Sequence, residues 1–397
     1  MQSILIKLGK IFSTFKQEGF FGGVKKSGHY LKLFFDLIFK ISPGDVLIIS
    51  GGIGDSAHYR AFNQAEELNQ HGIKTAVTLQ ENPRLLKLID DFQIFIFRRT
   101  LETALTQKVI QEIKTQKKEI VFETDDLVFD LKYIQNTELY KANMTKLEKR
   151  QYQKGLGLEI LSDAYVKNCV TSTSYLAKIL KDYNKKVFIS KNKISQKEVA
   201  LAQKLVAKKR KKTLPEIRIS YFSGTSSHDR DFEQIANPLL NILKKYPNVK
   251  LVLGGPLKIS ADFEKYVAKI ERLPLVSREK YYANLCNADI NLAPLVLGDP
   301  FCEAKSEIKF LEAGILQVPT VAAKNQTFSE CIIDGVDGFL AEDEKEWQAK
   351  LERLIEDTNL RLQIGREAQN KIIKDFTVEN SHNESYYTFL KKLSKKK

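Results

Sequence analysis

Length, composition and charge limit what this chain can be. Its 397 residues are enough for two domains. The composition, with 43% hydrophobic and 28% charged residues, is typical of a globular rather than a disordered protein. The formal net charge of +14 favours an anionic partner, such as a nucleotide, an anionic phospholipid surface or a nucleic acid.

Cysteine and histidine spacing argues against a metal site or a disulfide framework. The four cysteines are Cys169, Cys286, Cys302 and Cys331. None forms a CxxC pair and the histidines show no metal-ligand spacing, so we expect no metal and a reducing, cytoplasmic location. Lys7 and Lys10 interrupt the first apolar run, and no uncharged apolar stretch reaches about 18 residues, so neither a signal peptide nor a transmembrane helix is predicted.

Residues 1–42 are predicted to form a basic, aromatic helical segment. Phenylalanines stand among lysines here, and residues 31–41 are too short and too charged to span a bilayer. Two interpretations stay open: the segment lies in a membrane interface with its lysines on anionic lipid, or its helices pack on the first domain.

A first Rossmann-like domain is predicted over residues 43–192. Short apolar runs predict parallel strands at Val46–Ser50, Thr75–Leu79, Phe92–Phe97 and Ile120–Glu123. A glycine-rich loop, 51–54, and a helix over 57–71 follow the first of these strands. Strands that alternate with helices at this interval indicate βαβ units.

A lysine-rich helix over 193–214 is predicted to link the two domains. Its basic run, 208–212, is typical of a solvated helix, although nucleic acid or lipid binding is the alternative. A second Rossmann-like domain follows over 215–376, with strands at Ile217–Phe222, Val249–Leu253, Ile290–Pro294 and Thr320–Ala323. A helix over 377–397 is predicted to cross back to the first domain.

The predicted fold class is therefore α/β, with two Rossmann-like domains facing across a cleft. Ligands of such sheets bind at the carboxyl ends of the strands. At these ends the second domain carries Gly224 and Arg230 in one loop and Gly254 and Gly255 in another. An arginine fork suits phosphate oxygens and glycines permit close approach of a ligand, although a helix cap and a plain turn are the alternatives.

The segment 303–314 carries the most chemistry in the second domain. The sequence predicts one helix that begins near Lys305 and Ser306, where free N–H groups favour an anion. Lys309 and Glu312 then share a face with Lys305, and a carboxylate such as Glu312 suits the two hydroxyls of a ribose. The alternative is a solvated helix face with ordinary charge pairs.

Three functional motifs are missing from the chain: a phosphate-binding P-loop GxxxxGK[ST], a dinucleotide-binding GxGxxG at the first helix and a catalytic GxSxG nucleophile elbow. The order of the remaining elements resembles the C-terminal half of the GT-B fold in retaining, nucleotide-sugar-dependent glycosyltransferases of the group 1 (family four) type. The matching segments are Phe222–Phe232, Lys250–Pro256, Tyr282–Pro294, Lys305–Pro319 and Ile333–Leu340.

This resemblance implies a role for each donor-side residue. Glu312 matches the second acid of the family's pair and would bind the donor ribose, while Ala304 stands where the first acid is usual. Arg230 matches a diphosphate-binding lysine, and Thr225 stands where the family has an arginine. We hypothesise that Lys305 or Lys309 compensates for that missing cation.

In the first domain the resemblance is to the bacterial surface-polysaccharide branch, which assembles O-antigen, capsule and rhamnan. It rests on the helix that contains Tyr59 and Arg60 and on residues 123–130. Gly51, Gly52, Tyr59 and Arg60 would then form an acceptor-side loop. Asp125 and Asp126 mimic a metal-binding DxD motif, but their position after a strand favours orienting an acceptor hydroxyl, acting as general base or capping the next helix.

The function that the resemblance implies is metal-independent transfer of a sugar, with retention, from a nucleoside diphosphate donor to a glycan or lipid-linked acceptor at the inner membrane face. Arg230 and neighbouring cations would stabilise the leaving diphosphate. A catalytically silent GT-B component of an assembly complex is the first alternative, because Ala304 breaks the acidic pair. A nucleic-acid-binding protein is the second, but the chain lacks the motifs for it.

Overall fold

The computed structural model describes residues 32–135, 149, 155–208, 216–225 and 228–395. The described residues divide into two compact units. Unit 1 holds those within 1–171, 177–190 and 383–397, and unit 2 holds those within 172–176 and 191–382. Each unit is built on its own parallel sheet, which confirms the two Rossmann-like halves expected from the sequence.

The sheet of unit 1 has six parallel strands in the order β2-β1-β3-β4-β5-β6. They are β1 (Val46–Ser50), β2 (Thr75–Leu79), β3 (Ile94–Arg98), β4 (Glu119–Thr124), β5 (Asn168–Thr171) and β6 (Lys186–Ile189). The central strands β1 and β3 are buried at every position, because helices cover both faces of a parallel sheet.

The sheet of unit 2 also has six parallel strands, in the order β12-β11-β10-β7-β8-β9. They are β7 (Ile217–Phe222), β8 (Val249–Gly254), β9 (Ile270–Leu273), β10 (Ile290–Ala293), β11 (Thr320–Ala323) and β12 (Phe339–Ala341). The chain switches direction between β7 and β10, and in doubly wound sheets such a point opens a crevice for ligands.

The helices surround these sheets. In chain order they are α1 (32–39), α2 (Asp55–Ala57), α3 (Gln64–Gln70), α4 (Leu85–Leu88), α5 (Ala104–Thr115), α6 (Leu131–Ile134), α7 (Leu158–Ser162), α8 (Ser174–Lys181), α9 (Gln196–Lys208), α10 (Asp229–Glu233), α11 (Ala236–Lys245), α12 (Arg278–Cys286), α13 (Pro300–Glu303), α14 (Ile308–Gly314), α15 (Gln326–Cys331), α16 (Glu344–Glu356), α17 (Thr358–Asp375) and α18 (Glu384–Ser394). A π-helical turn (His58–Asn63) joins α2 to α3, and 3-10 turns lie at Ile89–Asp91 and Ala261–Lys269.

Three predicted helical segments can be placed on this frame. Residues 1–31 and 209–215 lie outside the described residues. The structure therefore describes only residues 32–42 of the 1–42 segment and only Lys208 of the basic run 208–212. Helix α1 packs Leu37 and Ile38 inward, and Thr78 donates a hydrogen bond to the Leu37 carbonyl at 2.8 Å. Helix α9 packs against α12 within unit 2, and α18 buries Tyr386 and Tyr387 in unit 1.

Candidate functional site

The carboxyl ends of β7 and β8 meet in unit 2 around a pair of glycines. Gly255 has a φ of +84°, and a Cβ there would lie 1.9 Å from the Ser223 carbonyl oxygen. A Cβ on Gly254 would lie 2.2 Å from the Phe222 ring. Both glycines are therefore needed because the end of β8 passes close to Phe222 and Ser223 at the end of β7. Their contact with a ligand stays a prediction.

Lys309 lies beneath this turn. Its Nζ donates a hydrogen bond to the Phe222 carbonyl and lies 4.7 Å from the centre of the Tyr221 ring. Burial lowers the pKa of Lys309, while Glu312 and Asp231 partly offset that effect. The ammonium group therefore ties α14 to the end of β7, where it adds positive charge under the loop that contains Gly224.

Glu312 lies on α14 and is held by two residues of α12. Arg278 Nη1 donates to Glu312 Oε1 at 3.2 Å, and the Tyr281 hydroxyl donates to Oε2 at 2.7 Å. The Tyr281 ring stands edge-on to Phe222 at 5.4 Å. These contacts place the carboxylate beside the carboxyl end of β7, where a parallel sheet binds its ligands.

The prediction of one helix that begins at Lys305 and Ser306 is wrong. Asp299 caps a separate short helix, α13, by accepting from the N–H groups of Phe301 and Cys302, and Pro300 occupies its first position. Such a cap followed by proline starts a helix several residues earlier than the charge pattern suggested. Helix α14 begins only at Ile308, so the first-turn N–H groups of that helix are not those of Lys305 and Ser306.

The predicted cations of this site differ in exposure. Arg230 lies on α10 with its side chain 51% exposed, and its Nη1 is 4.0 Å from Asp299 Oδ2. Lys305 is half-buried, with its Nζ 4.1 Å from the centre of the Phe301 ring. Arg230 thus presents its charge at the surface, whereas Lys305 and Lys309 are both half-buried and Lys309 is held by the Phe222 carbonyl.

A buried carboxylate, Asp231, organises the start of α10. Its Oδ2 lies 2.8 Å from His228 Nδ1, and its Oδ1 accepts from the Cys302 thiol and the Val296 N–H, both at 3.3 Å. Burial lowers the pKa of His228, although the hydrogen bond to Asp231 opposes that shift. Asp231 therefore joins α10 to the β10–α13 connection.

In unit 1 the predicted acceptor-side residues Tyr59 and Arg60 lie in the π-helical turn and are buried. Arg60 Nε is 2.6 Å from Glu123 Oε1, and its Nη1 donates to the Ser190 carbonyl at 2.5 Å. Burial alone would lower the pKa of Arg60, but the Glu123 carboxylate outweighs it and raises that pKa. The turn is thus pinned to the ends of β4 and β6.

Asp125 and Asp126 follow β4 and pair with consecutive arginines at the end of β3. Arg99 Nε is 2.6 Å from Asp125 Oδ1, and Arg99 Nη2 is 3.4 Å from Asp126 Oδ2. Burial opposes ionisation of Asp125, yet Arg99 and Arg98 outweigh it and lower the pKa of that carboxyl. An acid with a lowered pKa is a weak proton acceptor, so the geometry suits hydrogen bonding better than general-base catalysis.

The glycine loop after β1 lies against this network. A Cβ on Gly51 would lie 2.0 Å from the Arg99 carbonyl oxygen, whereas nothing lies within 4 Å of a Cβ on Gly52. Arg99 itself has a φ of +46°, a conformation that is uncommon for any residue other than glycine. Gly51 is therefore needed for the close approach of the strand ends, and the acceptor role of this loop stays a prediction.

The comparisons with known proteins bear first on the fold. HepE of Anabaena, solved in complex with UDP, superimposes over 88% of this chain and 100% of its own with a TM-score of 0.55 and 15% identity. A glycosyltransferase from Rickettsia africae covers 90% of this chain and 100% of its own with a TM-score of 0.57 and 12% identity. The chain has the GT-B fold.

The sequence comparisons cover a smaller part of this GT-B chain. Residues 219–357, within unit 2, match a family model described as glycosyl transferases group 1.

A third structure, a mutant of S. aureus TarM solved with Fondaparinux, alpha-GlcNAc-glycerol and UDP, covers 78% of this chain and 58% of its own, with a TM-score of 0.52 and 14% identity. A search of curated proteins found no match.

Within the GT-B frame, the structure brings Lys309, Glu312, Gly254 and Gly255 together at the end of β7. Sequence reasoning did not find the residues that hold them, of which Arg278 and Tyr281 are the chief examples. Their signal was present as an Arg-x-x-Tyr spacing at one helical face, but nothing in the sequence paired that helix with α14. Among the described residues, no three His, Cys, Asp or Glu side chains are grouped as metal ligands.

Proposed function

We propose that this protein is a glycosyltransferase that moves a sugar from a nucleoside diphosphate donor to a glycan or lipid-linked acceptor in bacterial surface-polysaccharide synthesis. The observation that carries the proposal is the position of Glu312. It lies within the residues that match the group 1 glycosyl transferase model and beside the carboxyl end of β7. The surface-polysaccharide role rests on the sequence resemblance of unit 1.

The donor side of the reaction follows from the charges of unit 2. Glu312 would accept hydrogen bonds from the two ribose hydroxyls, and Gly224 would let the diphosphate approach the turn after β7. Arg230 and Lys305 would face the phosphates, with Lys309 below them. Fixed cations at the leaving diphosphate stabilise the charge that develops there as the glycosidic bond breaks, and we propose that transfer proceeds with retention.

Metal independence belongs to the same proposal. Arg230, Lys305 and Lys309 would supply the positive charge that a divalent cation supplies in other transferases. The measurement is turnover after dialysis against a chelator, with and without added Mg²⁺ or Mn²⁺. Unchanged turnover is expected, and loss of turnover that either cation restores would contradict this part of the proposal.

The acceptor side would be formed by Asp125 and Asp126 together with the Gly51–Gly52 loop. Because its two arginine partners lower the pKa of Asp125, the carboxylate would orient an acceptor hydroxyl by accepting its hydrogen bond. Substitution of Asp125 by asparagine should then raise the KM for the acceptor more than the KM for the donor. Equal effects on both substrates would contradict this assignment.

The direct test is release of nucleoside diphosphate from a panel of UDP- and GDP-sugars, in the presence of membrane-derived acceptors. We expect one donor to be consumed and the Glu312→Ala variant to lose most of that turnover. Glu264→Ala is the matched control, because Glu264 is an exposed acid elsewhere in unit 2. Full activity in Glu312→Ala would overturn the proposal.

A second candidate function is a catalytically silent nucleotide-sugar or glycan-binding component of an assembly complex. Ala304, which replaces the first acid of the family's pair, favours this candidate, and its side chain is fully buried. Saturable binding of a nucleotide sugar without transfer or hydrolysis would select this function over catalysis. Transfer by the purified protein would exclude it.

We also propose that α1 contacts an anionic membrane. Phe35 and Phe39 are 54% and 58% exposed and stack at 6.0 Å, with Lys32 exposed on the same short helix and Lys40 exposed directly after it. Among the residues that the structure describes, no helix combines the length and apolarity of a membrane span. Exposed aromatic rings beside lysines are typical of an interfacial helix.

The membrane contact can be measured by co-sedimentation with vesicles. Binding to phosphatidylglycerol vesicles that exceeds binding to phosphatidylcholine vesicles is expected, together with a marked loss for Phe35→Ser/Phe39→Ser. Substitution of the exposed Leu362 of unit 2 by serine is the control for a general loss of surface apolarity. Equal binding of all three proteins to both vesicles would contradict the proposal.

A further inference from the structure

Glu312 belongs to a chain of hydrogen bonds that crosses three helices of unit 2. Arg278 Nη1 donates both to Glu312 Oε1, at 3.2 Å, and to Glu198 Oε1 on α9, at 3.1 Å. Ser195 in turn donates its N–H and its hydroxyl to Glu198 Oε2, at 2.9 and 2.7 Å. The position of the Glu312 carboxylate is therefore set through α12 by the start of α9.

Packing alone does not account for this arrangement. Two largely buried carboxylates, Glu198 at 4% and Glu312 at 7% exposure, share one guanidinium nitrogen. Buried ionic groups are expensive to desolvate, and apolar residues of similar volume commonly stabilise a fold as well or better. Both Glu312 oxygens are nevertheless engaged, one by Arg278 and the other by Tyr281, which fixes the plane of the carboxylate.

We propose that Arg278 and Tyr281 are positioning residues that hold the Glu312 carboxylate in the orientation that accepts the hydroxyls of the donor ribose, and that Glu198 anchors Arg278. This inference rests on the proposed function of Glu312. A carboxylate whose two oxygens are already oriented loses little rotamer freedom when it meets a ligand, which increases affinity without a further contact. This chain of hydrogen bonds, the relay from Glu198 through Arg278 to Glu312, therefore affects recognition of the ribose rather than of the phosphates.

The ligands that test this inference differ only in the ribose hydroxyls. The affinities of UDP and GDP are compared with those of their 2′,3′-dideoxy analogues by calorimetric titration of the full chain. Tyr281→Phe removes the hydroxyl bound to Glu312 Oε2 and keeps the ring against Phe222. Arg278→Lys keeps the positive charge but loses the rigid fork, so it tests the second contact independently.

We expect the wild type to bind at least one of the two diphosphates more tightly than its dideoxy analogue. Tyr281→Phe and Arg278→Lys should each weaken that diphosphate by about tenfold, the scale of one hydrogen bond to a charged group, and leave the affinity of the dideoxy analogue unchanged. Tyr246→Phe is the matched control, because it removes a tyrosine hydroxyl that bonds Glu356 on another surface of unit 2. Its affinities should equal those of the wild type.

The results that would contradict the proposal distinguish the ribose role of Glu312 from the positioning role of Arg278 and Tyr281. A wild type that binds neither diphosphate, or that binds the dideoxy analogues as tightly, would overturn the ribose role of Glu312 and the relay with it. A wild type that discriminates, with variants that discriminate equally well, would overturn only the positioning role. A variant that weakens the diphosphate and its dideoxy analogue by the same factor would show a structural role instead.

Discussion

The Arg60–Glu123 ion pair gives the sharpest stability prediction for unit 1. Both side chains are at most 2% exposed, and Arg60 Nε is 2.6 Å from Glu123 Oε1. Arg98 Nε, also buried, lies 3.7 Å from Glu123 Oε2. Substitution of Glu123 by alanine therefore leaves two buried guanidinium groups without this carboxylate, which is the costly way to break a buried pair.

The expected loss is about 3–5 kcal/mol of unfolding free energy, the range observed when one partner of a buried pair is removed. For a unit of this size it corresponds to a fall of roughly 6–20 °C in melting temperature. The double variant Arg60→Met/Glu123→Leu should recover part of the loss, because it removes an opposed charge together with its partner. Asp36→Ala breaks the exposed pair with Lys40 and should change stability by about 1 kcal/mol or less.

Two signals measured in the same urea titration separate the two units. Trp347 is the single tryptophan of the chain and is buried in unit 2, so its fluorescence reports the unfolding of that unit. Far-UV circular dichroism reports both units. Glu123→Ala should lower the urea midpoint by circular dichroism more than the midpoint by fluorescence. A circular-dichroism midpoint equal to that of the wild type would refute the reasoning.

Three further predictions concern single residues. Burial raises the pKa of Glu307, so the wild type loses stability as the pH rises from about 4.3 to the pKa of Glu307 in the folded state. The Glu307→Gln variant should therefore become more stable relative to the wild type over that pH range. A constant difference between the urea midpoints of the two proteins across this range would contradict the prediction. Gly255→Ala should cost about 1–3 kcal/mol and weaken nucleotide binding, because its Cβ would clash with the Ser223 carbonyl; an unchanged melting temperature would contradict it. The pKa of Asp125 is lowered in the folded protein, so its carboxylate stabilises the fold above about pH 3.9 and this stabilisation is lost as the pH falls below that value. In the Asp125→Asn variant the free energy of unfolding should therefore change less steeply with pH in the acid range. An unaltered dependence on pH would contradict the prediction.

The strands show what local sequence can predict. The runs at Val46–Ser50, Thr75–Leu79, Ile217–Phe222 and Thr320–Ala323 have the predicted bounds, since each is a short apolar or β-branched segment between polar residues or turns. β6 (Lys186–Ile189) was not predicted, because it is an edge strand in which only Phe188 is buried. An edge strand lacks the continuous apolar run by which a central parallel strand is recognised.

The proposed donor site shows which features the sequence alone cannot predict. Glu312 could be singled out because a family pattern ends on it. Its partner Arg278 lies on a second helix and is itself bound by Glu198 on a third, and such pairing is a property of the fold. The start of α13 is marked in the sequence by Asp299 followed by Pro300, a cap signal that the prediction over 303–314 did not use.

The measurement that tests the central claim most directly is calorimetric titration of nucleoside diphosphates into the wild type and the Glu312→Ala variant, with inorganic pyrophosphate as the comparison ligand. We expect one diphosphate to saturate a single site and Glu312→Ala to weaken its binding by at least about tenfold. Pyrophosphate should bind weakly and equally to both proteins. Absence of nucleotide binding to the wild type, or equal nucleotide affinity in the two proteins, would contradict the central claim.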